Sequence, residues 1–482
     1  MKERKKKKKK TKKNKTNREI LVITYFFLLI FGCFTGYFIY FMNVESETYI
    51  TSAYNTRQDL LGNTVIRGKI LSSDKTVLAE TLTDALGNET RSYPYSNLFA
   101  HVLGYSSKGK SGLESAYNFY LLKSHVNPWE QLANGLSGKK NPGDNVITTL
   151  DPELQRIAYD GMGDYNGAVV VMEPATGKIL AMVSKPDFDP NQIDAIWDTL
   201  VSAEESSNLL NRATAGMYPP GSTFKIVTAL AYLRDQGFSV LDSFSYNCEG
   251  DYRYNDLTIR CFDRNPHGLM NLRSAFAQSC NSSFASIGMS IDPAVFRETA
   301  EELLFNREMP FLLSNKSGSF VMDASSEPWE VMQTSIGQGK TLITPLQNAM
   351  IVSAIANGGV AMKPYLVDRV ETAAGQTVKG FQPEIGGTFM TKEEATTLTE
   401  LMTGVVRQGT ASILQSDQYQ AAGKTGSAEY QTGLEDTHAW FVGFAPTEKP
   451  TIAVSIVLED AGNGGGIPTS LAKQLFDAYL SR

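Results

Sequence analysis

Histidine and cysteine are both rare in this chain, which contains only four of each among its 482 residues. The histidines show no spacing that is typical of metal ligands, and this argues against a zinc enzyme. We therefore expect no metal ion and no other cofactor. The sequence also has no internal repeats.

The few cysteines leave one pairing question open. Cys33 lies in an apolar segment, and Cys280 lies in a motif described below. Cys248 and Cys261 flank a short polar stretch in a region that we place outside the cell. A disulfide between them is one interpretation and would stabilise the fold by about 3 kcal/mol on the loop-closure argument. Two free thiols are the other.

Acidic residues are nearly absent from the start of the chain. Residues 1–18 contain twelve Lys or Arg and only Glu3, and the remainder holds 33 basic and 50 acidic residues. Residues 20–42 then run for 23 positions without a charge. A helix of that length is about 35 Å long, enough to cross a hydrocarbon core of about 30 Å. We predict a basic tail over 1–19 and a transmembrane anchor over 20–42.

The charge pattern also predicts the topology. Basic residues remain on the cytoplasmic side, so the rest of the chain would lie outside the cell membrane. A cleaved signal peptide is the alternative, but its apolar region is usually only about 7–15 residues long. The basic tail could also be a nucleic-acid arm. Because a membrane span follows at once, we interpret it as a topology determinant that contacts anionic lipid, and we expect no nucleic-acid partner.

Beyond the anchor we predict two α+β domains. Residues 43–144 predict a small mixed, non-catalytic domain that ends in a turn-rich linker, with two short strands over 67–71 and 76–79. Residues 145–482 form the second domain.

The second domain contains strands near both of its ends. A helix is predicted from Asp151, followed by a hairpin of two buried strands, and the last strands come shortly before a final amphipathic helix. Strands at both ends with helices between them predict a central antiparallel sheet flanked by helices, with an inserted helical subdomain. The predicted strands are 167–172, 178–183, 439–444 and 451–458, and the predicted mainly helical regions are 215–290 and 326–357.

The most informative stretch contains Ser222 and Lys225. Pro-Pro-Gly precedes the serine and predicts a sharp turn, and apolar residues after Lys225 predict a buried helix. The lysine then lies one turn beyond the serine, and the helix dipole and apolar neighbours disfavour its charged form. A neutral amine beside a hydroxyl forms a nucleophile with its base. Ser-x-x-Lys by itself is uninformative because it occurs five times here.

A second motif is formed by Ser279, Cys280 and Asn281. A hydroxyl and an amide two residues apart in a loop can pass a proton and hold a substrate amide. Ser-x-Asn occurs three times in the chain, so it too is weak alone. The alternative interpretation is an N-cap for a helix that begins near Ser282.

The third motif begins at Lys424 and is the only Lys-Thr-Gly of the chain. On a strand, Lys424 and Gly426 share one face, and Thr425 and Ser427 lie on the other face or along the edge. Gly426 would allow close approach of a ligand backbone, and a cation beside two hydroxyls suits a terminal carboxylate. An edge strand can also pair with a peptide. A hairpin with an incidental lysine is the alternative.

These three motifs, in this order, resemble the active site of penicillin-binding proteins and serine β-lactamases. Residues 335–339, 344–347 and 438–446 resemble other parts of the transpeptidase domain. Residues 67–68 and 112–114 are similar to the amino-terminal, dimerisation or pedestal-like domain of class B members, which are monofunctional transpeptidases. The resemblance covers about residues 60–482. Many members have Thr where Ser427 stands here, so a hydroxyl is kept.

The resemblance implies a peptidoglycan D,D-transpeptidase. Ser222 would attack the carbonyl between the last two D-alanines of a stem peptide and form an acyl-enzyme. Lys225 would be the base, although the identity of the base is disputed in some relatives, and Ser279 would relay a proton to the leaving amine. An amine of a neighbouring stem peptide would then accept the acyl group. Penicillin and other β-lactams would acylate Ser222 and stay there.

The resemblance also implies how the donor peptide is held. Asn281 would bind its amide, and its terminal carboxylate would lie against Lys424, Thr425 and Ser427. The backbone N–H groups of Ser222 and Ser427 would form the oxyanion hole, worth about 3–4 kcal/mol per donor.

Three alternatives differ in the fate of the acyl group or in the partner. A carboxypeptidase or β-lactamase would pass it to water, but a soluble lactamase needs neither an anchor nor an extra domain. A penicillin sensor would signal inward, but residues 1–18 are too short for a signalling domain. A bifunctional enzyme would also polymerise glycan, but residues 45–136 are too short for that. The resemblance instead implies a separate polymerase of the SEDS family as partner.

Overall fold

The computed structural model describes residues 2–45, 62–202, 206–429 and 437–482. Residues 46–61, at the start of the predicted amino-terminal domain, lie outside the described residues. The chain divides into two compact units, residues 1–60 and residues 61–482. The described part of the first unit, residues 2–45, forms helix α1 (Lys2–Tyr40), which ends in a π-helical turn at Phe41–Glu45. Its segment Asn17–Tyr40 contains an 18-residue stretch with a mean hydropathy of 2.1 and is long and apolar enough to cross a membrane.

The second unit contains a six-stranded sheet near its amino-terminal end. Four of its strands come from the predicted first domain and the start of the second: β2 (Ile70–Leu71), β3 (Val77–Thr83), β4 (Glu89–Ser92) and β6 (Asn145–Thr148). Two more come from much later in the chain: β14 (Val367–Glu371) and β15 (Thr377–Gly380). The strand order is β15-β14-β6-β2-β3-β4, and only β2 and β6 pair in parallel. The predicted boundary at 144 therefore lies beside a sheet that residues from both sides build together.

Short elements surround this sheet. Strands β1 (Val65–Ile66) and β5 (Asn141–Pro142) pair in parallel within the predicted linker region. The helices are α2 (Ala100–Leu103), α3 (Gly112–Ala116), α4 (Asn118–Leu121) and α5 (Pro128–Leu136), with a 3₁₀ turn at Ser96–Phe99.

A buried ion cluster holds α3 against the strands. Glu114 is completely buried and receives hydrogen bonds from Arg67 Nε at 2.6 Å and Arg91 Nε at 2.7 Å. Burial alone would raise the pKa of Glu114, but the two arginines outweigh it and hold the pKa below its ordinary value. Arg67 also donates to the Asn118 side chain, which ties α4 to the same cluster.

The predicted central sheet has five strands and is antiparallel throughout. Its order is β17 (Ala422–Glu429), β18 (Thr437–Ala445), β19 (Ile452–Leu458), β7 (Gly167–Met172) and β8 (Ile179–Lys185). Every residue of β7 and β19 is buried. This agrees with the continuous apolar runs in the sequence, because a strand covered on both faces has no polar side. β17 is an edge strand.

Helices cover both faces of the five-stranded sheet. α15 (Pro345–Ala356) packs against β7, β18 and β19, and α6 (Pro152–Gly161) packs with α17 (Ile467–Leu480). Asp151 caps α6 by accepting from the N–H groups of Glu153 and Leu154, as its sequence predicts. The other helices are α7 (Ile193–Ser202), α8 (Arg212–Ala215), α9 (Lys225–Gln236), α10 (Val240–Ser243), α11 (Leu272–Ala277), α12 (Asn281–Gly288), α13 (Pro293–Glu302), α14 (Pro328–Ser335) and α16 (Lys392–Gln408).

The region 215–290 is less helical than predicted. Residues 246–270 instead form four short strands, which pair as two antiparallel ribbons: β10 (Asp251–Tyr254) with β11 (Leu257–Arg260), and β9 (Tyr246–Cys248) with β12 (Gly268–Met270). Asn255 and Asp256 make the two-residue turn between β10 and β11, and Asn255 adopts φ +53°, as such hairpins require. The alternating tyrosines before this turn were the signal for a strand. A third ribbon joins β13 (Val360–Met362) and β16 (Ile385–Thr388).

Candidate active site

Ser222 lies in a one-turn 3₁₀ helix, Gly221–Phe224, that leads directly into α9. Gly221 adopts φ +52°, a conformation that favours glycine, and the preceding Pro219 carbonyl accepts a hydrogen bond from Trp440 Nε1 at 3.1 Å. Ser222 is half-buried and Lys225, the first residue of α9, is completely buried. The predicted arrangement, with the serine at a helix start and the lysine one turn deeper, is present.

The serine turn packs against edge strand β17. A Cβ atom on Gly221 would lie 2.5 Å from the Ser427 carbonyl oxygen, and one on Gly426 would lie 3.1 Å from Thr223 Cγ2. The first contact is too close for a larger residue, and the second would require Thr223 to shift, so the two glycines favour the approach. The backbones of Ser222 and Ser427 are therefore neighbours, although the two residues are about two hundred positions apart in the sequence.

Ser279 lies at the junction of α11 and α12. Its N–H donates to the Phe276 carbonyl and the Cys280 N–H donates to the Ala275 carbonyl, which is the pairing of a Schellman C-cap. Ser279 takes the left-handed position of that motif, with φ +55°, where glycine is usual. Such an outlier is common at functional positions.

The alternative interpretation of this motif, an N-cap for the following helix, holds for Cys280 and not for Ser279 or Asn281. Cys280 is the N-cap of α12, and its Sγ accepts from the Ser283 N–H at 3.4 Å. The side chains of Ser279 and Asn281 make other contacts: both meet the Lys225 ammonium or amine group.

Four predicted side chains converge through hydrogen bonds. Lys225 Nζ lies 2.7 Å from the Ser279 carbonyl oxygen, 2.7 Å from Asn281 Oδ1 and 3.2 Å from Ser279 Oγ. Lys424 Nζ lies 2.9 Å from the same Ser279 Oγ and 3.0 Å from the Thr425 carbonyl oxygen. The Ser279 hydroxyl thus bridges two lysines that come from a helix and from a strand.

Burial dominates the electrostatics of both lysines. Both side chains are completely buried, and neither forms an ion pair with any carboxylate of the described residues. Burial lowers the pKa of Lys225 to about 8. Burial, and then the nearby charge of Lys225, lower the pKa of Lys424 well below its ordinary value. Two unpaired ammonium groups around one hydroxyl would repel each other in this buried site. The pair of lysines therefore favours a state in which one is charged and the other is neutral.

The hydrogen-bond pattern accommodates a neutral amine at Lys225, the form that prevails above its pKa of about 8. The Ser279 carbonyl and Asn281 Oδ1 can only accept, so they occupy two N–H groups. A neutral amine has only two, and its lone pair then remains available to a hydroxyl hydrogen. The Ser279 hydroxyl can donate to one lysine while it accepts from the other, which makes it a possible proton relay.

The rest of the third motif divides between the two faces of β17. Lys424 points to Ser279, whereas the Thr425 hydroxyl lies 2.5 Å from the Thr410 hydroxyl, and Ser427 is only partly buried. Thr410 was missed by sequence reasoning, because a lone threonine in a loop carries no pattern. The roles assigned to Thr425, Gly426 and Ser427 in holding a carboxylate stay predictions.

Two families of known proteins match separate parts of the chain. The sequence model of the family described as "Penicillin binding protein transpeptidase domain" matches residues 167–477. A second, described as "Penicillin binding protein A dimerisation domain", matches residues 67–146.

Individual relatives match over most of their length. The peptidoglycan D,D-transpeptidase PbpA of Mycolicibacterium smegmatis is 34% identical over 446 residues, which cover 86% of this chain and 89% of the relative. The ceftriaxone acyl-enzyme complex of penicillin-binding protein A from M. tuberculosis superimposes with a TM-score of 0.79 at 30% identity, covering 88% and 100% of the two chains. A D,D-transpeptidase domain from Eggerthella lenta gives 0.78 at 32%, covering 87% and 99%.

Proposed function

This chain belongs to the penicillin-binding protein transpeptidase family, and we propose that it cross-links peptidoglycan stem peptides through an acyl-enzyme on Ser222. It is a peptidoglycan D,D-transpeptidase, a serine-type enzyme whose relatives form acyl-enzymes with β-lactams. One observation supports the assignment of residues: the Ser279 hydroxyl joins Lys225, three residues after Ser222, to Lys424, whose strand packs against the serine turn.

In the first half of the reaction Ser222 Oγ attacks the carbonyl carbon between the two terminal D-alanines. Its proton passes to the neutral Lys225 amine as the new C–O bond forms. The C–N bond then breaks, and the leaving D-alanine amine takes a proton back through the Ser279 hydroxyl. A catalytic base with a pKa of about 8 suits this task. Because such a pKa lies close to neutral pH, the lysine can both accept and return a proton.

In the second half an amine of another stem peptide attacks the ester carbonyl. Lys225 accepts the proton of that amine, and Ser222 regains its own proton as the C–O bond breaks. The product is an amide cross-link, and the free enzyme returns. A β-lactam follows only the first half, because its opened ring stays attached and blocks the second amine.

The donor peptide would lie along the free edge of β17. An edge strand offers backbone groups to an extended peptide, and Gly426 leaves room for its backbone. A substrate carboxylate near Lys424 and Ser427 would favour the charged form of Lys424. Since the pair favours one charged and one neutral lysine, carboxylate binding at Lys424 would leave Lys225 neutral. Substrate binding and activation of the base are then coupled through Ser279.

Labelling with a fluorescent penicillin tests the assignment of the nucleophile. Ser222→Ala should lose all covalent labelling and keep its thermal unfolding temperature. Ser137→Ala is a matched control, since Ser137 also begins a Ser-x-x-Lys pattern but is exposed on the surface, and it should label normally. Residual labelling of Ser222→Ala would place the nucleophile elsewhere.

The fate of the acyl group separates this function from its alternatives. A transpeptidase should form a persistent one-to-one adduct with a chromogenic cephalosporin and should incorporate an added amine into a stem-peptide donor. Rapid turnover of the cephalosporin would favour a lactamase-type hydrolase, and release of D-alanine without amine incorporation would favour a carboxypeptidase. A chain that binds penicillin but releases no D-alanine would be a sensor.

The apolar helix α1 is compatible with a single-pass membrane anchor. We propose that its lysine-rich start stays in the cytoplasm against anionic lipid and that the chain after about residue 43, with the catalytic domain, is extracytoplasmic. We also propose that residues 43–144 form a non-catalytic pedestal and residues 145–482 the transpeptidase domain, with a SEDS-family polymerase supplying glycan. Cysteine labelling by a membrane-impermeant reagent at engineered sites on either side of the apolar residues 20–42 tests the topology.

A further inference from the structure

A compact group of soft ligand atoms lies directly behind the second active-site motif. We name it the sulfur cluster: Cys248, Cys261, His267 and Cys280. Cys261 Sγ is 3.7 Å from Cys248 Sγ and 3.8 Å from Cys280 Sγ, and Cys248 Sγ is 3.4 Å from His267 Nδ1. All four ligand atoms lie within 4.8 Å of one another, and the three cysteines are buried.

These distances do not describe a disulfide. A sulfur–sulfur bond is about 2.05 Å long, whereas the Cys248 and Cys261 sulfurs are 3.7 Å apart. They do match three of the six edges of a metal-centred tetrahedron, and the other three distances are within 4.8 Å. With Zn–S near 2.3 Å and Zn–N near 2.0–2.1 Å, the edges are about 3.8 Å between sulfurs and about 3.5 Å between sulfur and nitrogen.

The geometry points to a zinc site: we propose that the sulfur cluster binds one Zn²⁺ ion through three thiolates and the His267 ring. Thiolate and imidazole ligands select zinc over the hard cations calcium and magnesium. Four protein ligands leave no open position, so the ion would be structural and would not activate water. No chemical step of the reaction proposed above takes place on a metal ion.

Local structure holds the four ligands in place. Cys248 ends β9 and His267 immediately precedes β12, and these two strands pair, with Cys248 opposite Gly268. Cys261 follows β11, and its N–H donates to the Gly250 carbonyl at 2.9 Å. Cys280 lies between α11 and α12.

Hydroxyl groups complete the surroundings of the sulfurs. Ser282 Oγ lies 3.1 Å from Cys261 Sγ, and Ser283 Oγ lies 3.1 Å from Cys280 Sγ. Both serines are buried. Hydroxyl donors of this kind stabilise metal-bound thiolates.

The ion would fix the active-site motif that contains Cys280. The two neighbours of Cys280 are Ser279 and Asn281, which meet Lys225, and Asn281 Nδ2 also donates to the Arg260 carbonyl at 3.0 Å. Arg260 directly precedes the ligand Cys261. The metal would therefore fix the ribbons of residues 246–270 against the Ser-x-Asn segment. This would keep the Ser279 hydroxyl in position between Lys225 and Lys424. This positioning role, unlike zinc binding itself, rests on the proposed function.

Metal content of the purified full-length protein tests the site without any measure of activity. Elemental analysis should find about one zinc per chain after expression in zinc-supplemented medium. Cys33→Ser is the matched control, because Cys33 is the one cysteine outside the cluster, and it should retain that zinc. His267→Ala and Cys248→Ser should each lose at least tenfold in zinc occupancy. A metal-free wild-type chain that does not regain zinc in a titration, or a Cys248–Cys261 disulfide in its peptide map, would overturn the proposal.

The positioning role has separate readouts. Chelation should lower the thermal unfolding temperature of the wild-type protein, and added zinc should restore it. A shift of about 1 Å at the relay can reduce a rate about a hundredfold, so we expect penicillin acylation of the metal-free chain to fall at least tenfold. If the purified protein contains zinc but its acylation rate is unchanged after the zinc is removed by chelation, the zinc site stands and the positioning role is refuted. A failure of Ser222→Ala to abolish labelling would refute the nucleophile and leave the zinc result standing.

Discussion

The pH dependence of penicillin acylation is the sharpest test of the base. Burial lowers the pKa of Lys225 to about 8, and only its neutral form can accept the Ser222 proton. The active form is therefore present above that pKa and is lost as the pH falls. About 1% of Lys225 is neutral at pH 6 and about 90% at pH 9, so the second-order acylation rate should rise about ninetyfold across this interval.

Stopped-flow fluorescence with a penicillin that does not titrate in this range would measure the profile. The rate should increase tenfold per pH unit below about pH 7 and reach a plateau above pH 9. Lys225→Ala is the control, because its residual rate should lack this dependence. The protein must also stay folded over the same range, which circular dichroism would check.

Two outcomes would refute the reasoning. A flat profile from pH 6 to 9 would mean that the base is already neutral throughout or is not a lysine. A rate still rising beyond pH 10 would mean that the lysine has its ordinary pKa of about 10.4 and that burial does not lower it.

Three further predictions concern separate parts of the chain. Lys225→Ala should slow acylation at the plateau at least about a hundredfold, the lower range for loss of a general base, and a much smaller change in stopped-flow rates would remove its role. Deletion of residues 1–42 should give a soluble protein that still labels with fluorescent penicillin, whereas misfolding would show that the anchor is structural. Glu114→Ala should lower the free energy of unfolding by about 3–5 kcal/mol in chemical denaturation, because it leaves Arg67 and Arg91 buried without a counter-charge; a loss below 1 kcal/mol would mean that water reaches the arginines.

The active-site motifs could be predicted because each depends on local spacing. Ser222 and Lys225 are three residues apart at a helix start, and the Pro-Pro-Gly turn before them is visible in the sequence. Strands β7 and β19 are likewise visible as apolar runs. In both cases the information lies within about ten consecutive residues, and tertiary packing reinforces the local preference.

The sulfur cluster could not be predicted in the same way. Its members are separated by 12, 5 and 12 residues, and the close Cys-x₂₋₄-Cys pair that usually marks a zinc site is missing. They meet because β9 pairs with β12 and because α11 ends in a Schellman motif. Because the region 215–290 was predicted to be mainly helical, neither the strand pairing nor the end of α11 was expected. One signal was available, since His267 is one of only four histidines and lies between two cysteines.

The six-stranded sheet has a consequence for how this protein can be recombined. β14 and β15 are encoded more than two hundred residues after β6, yet they complete the sheet that β2 and β3 begin. A chimera that took only residues 62–144 from a homologue would build this sheet from two parents, and the Ile70 and Val146 pairing would become a graft junction. Residues 367–380 are therefore structurally part of the amino-terminal region. Hybrids that take residues 62–148 and 367–380 from the same parent should fold more often than hybrids that separate them.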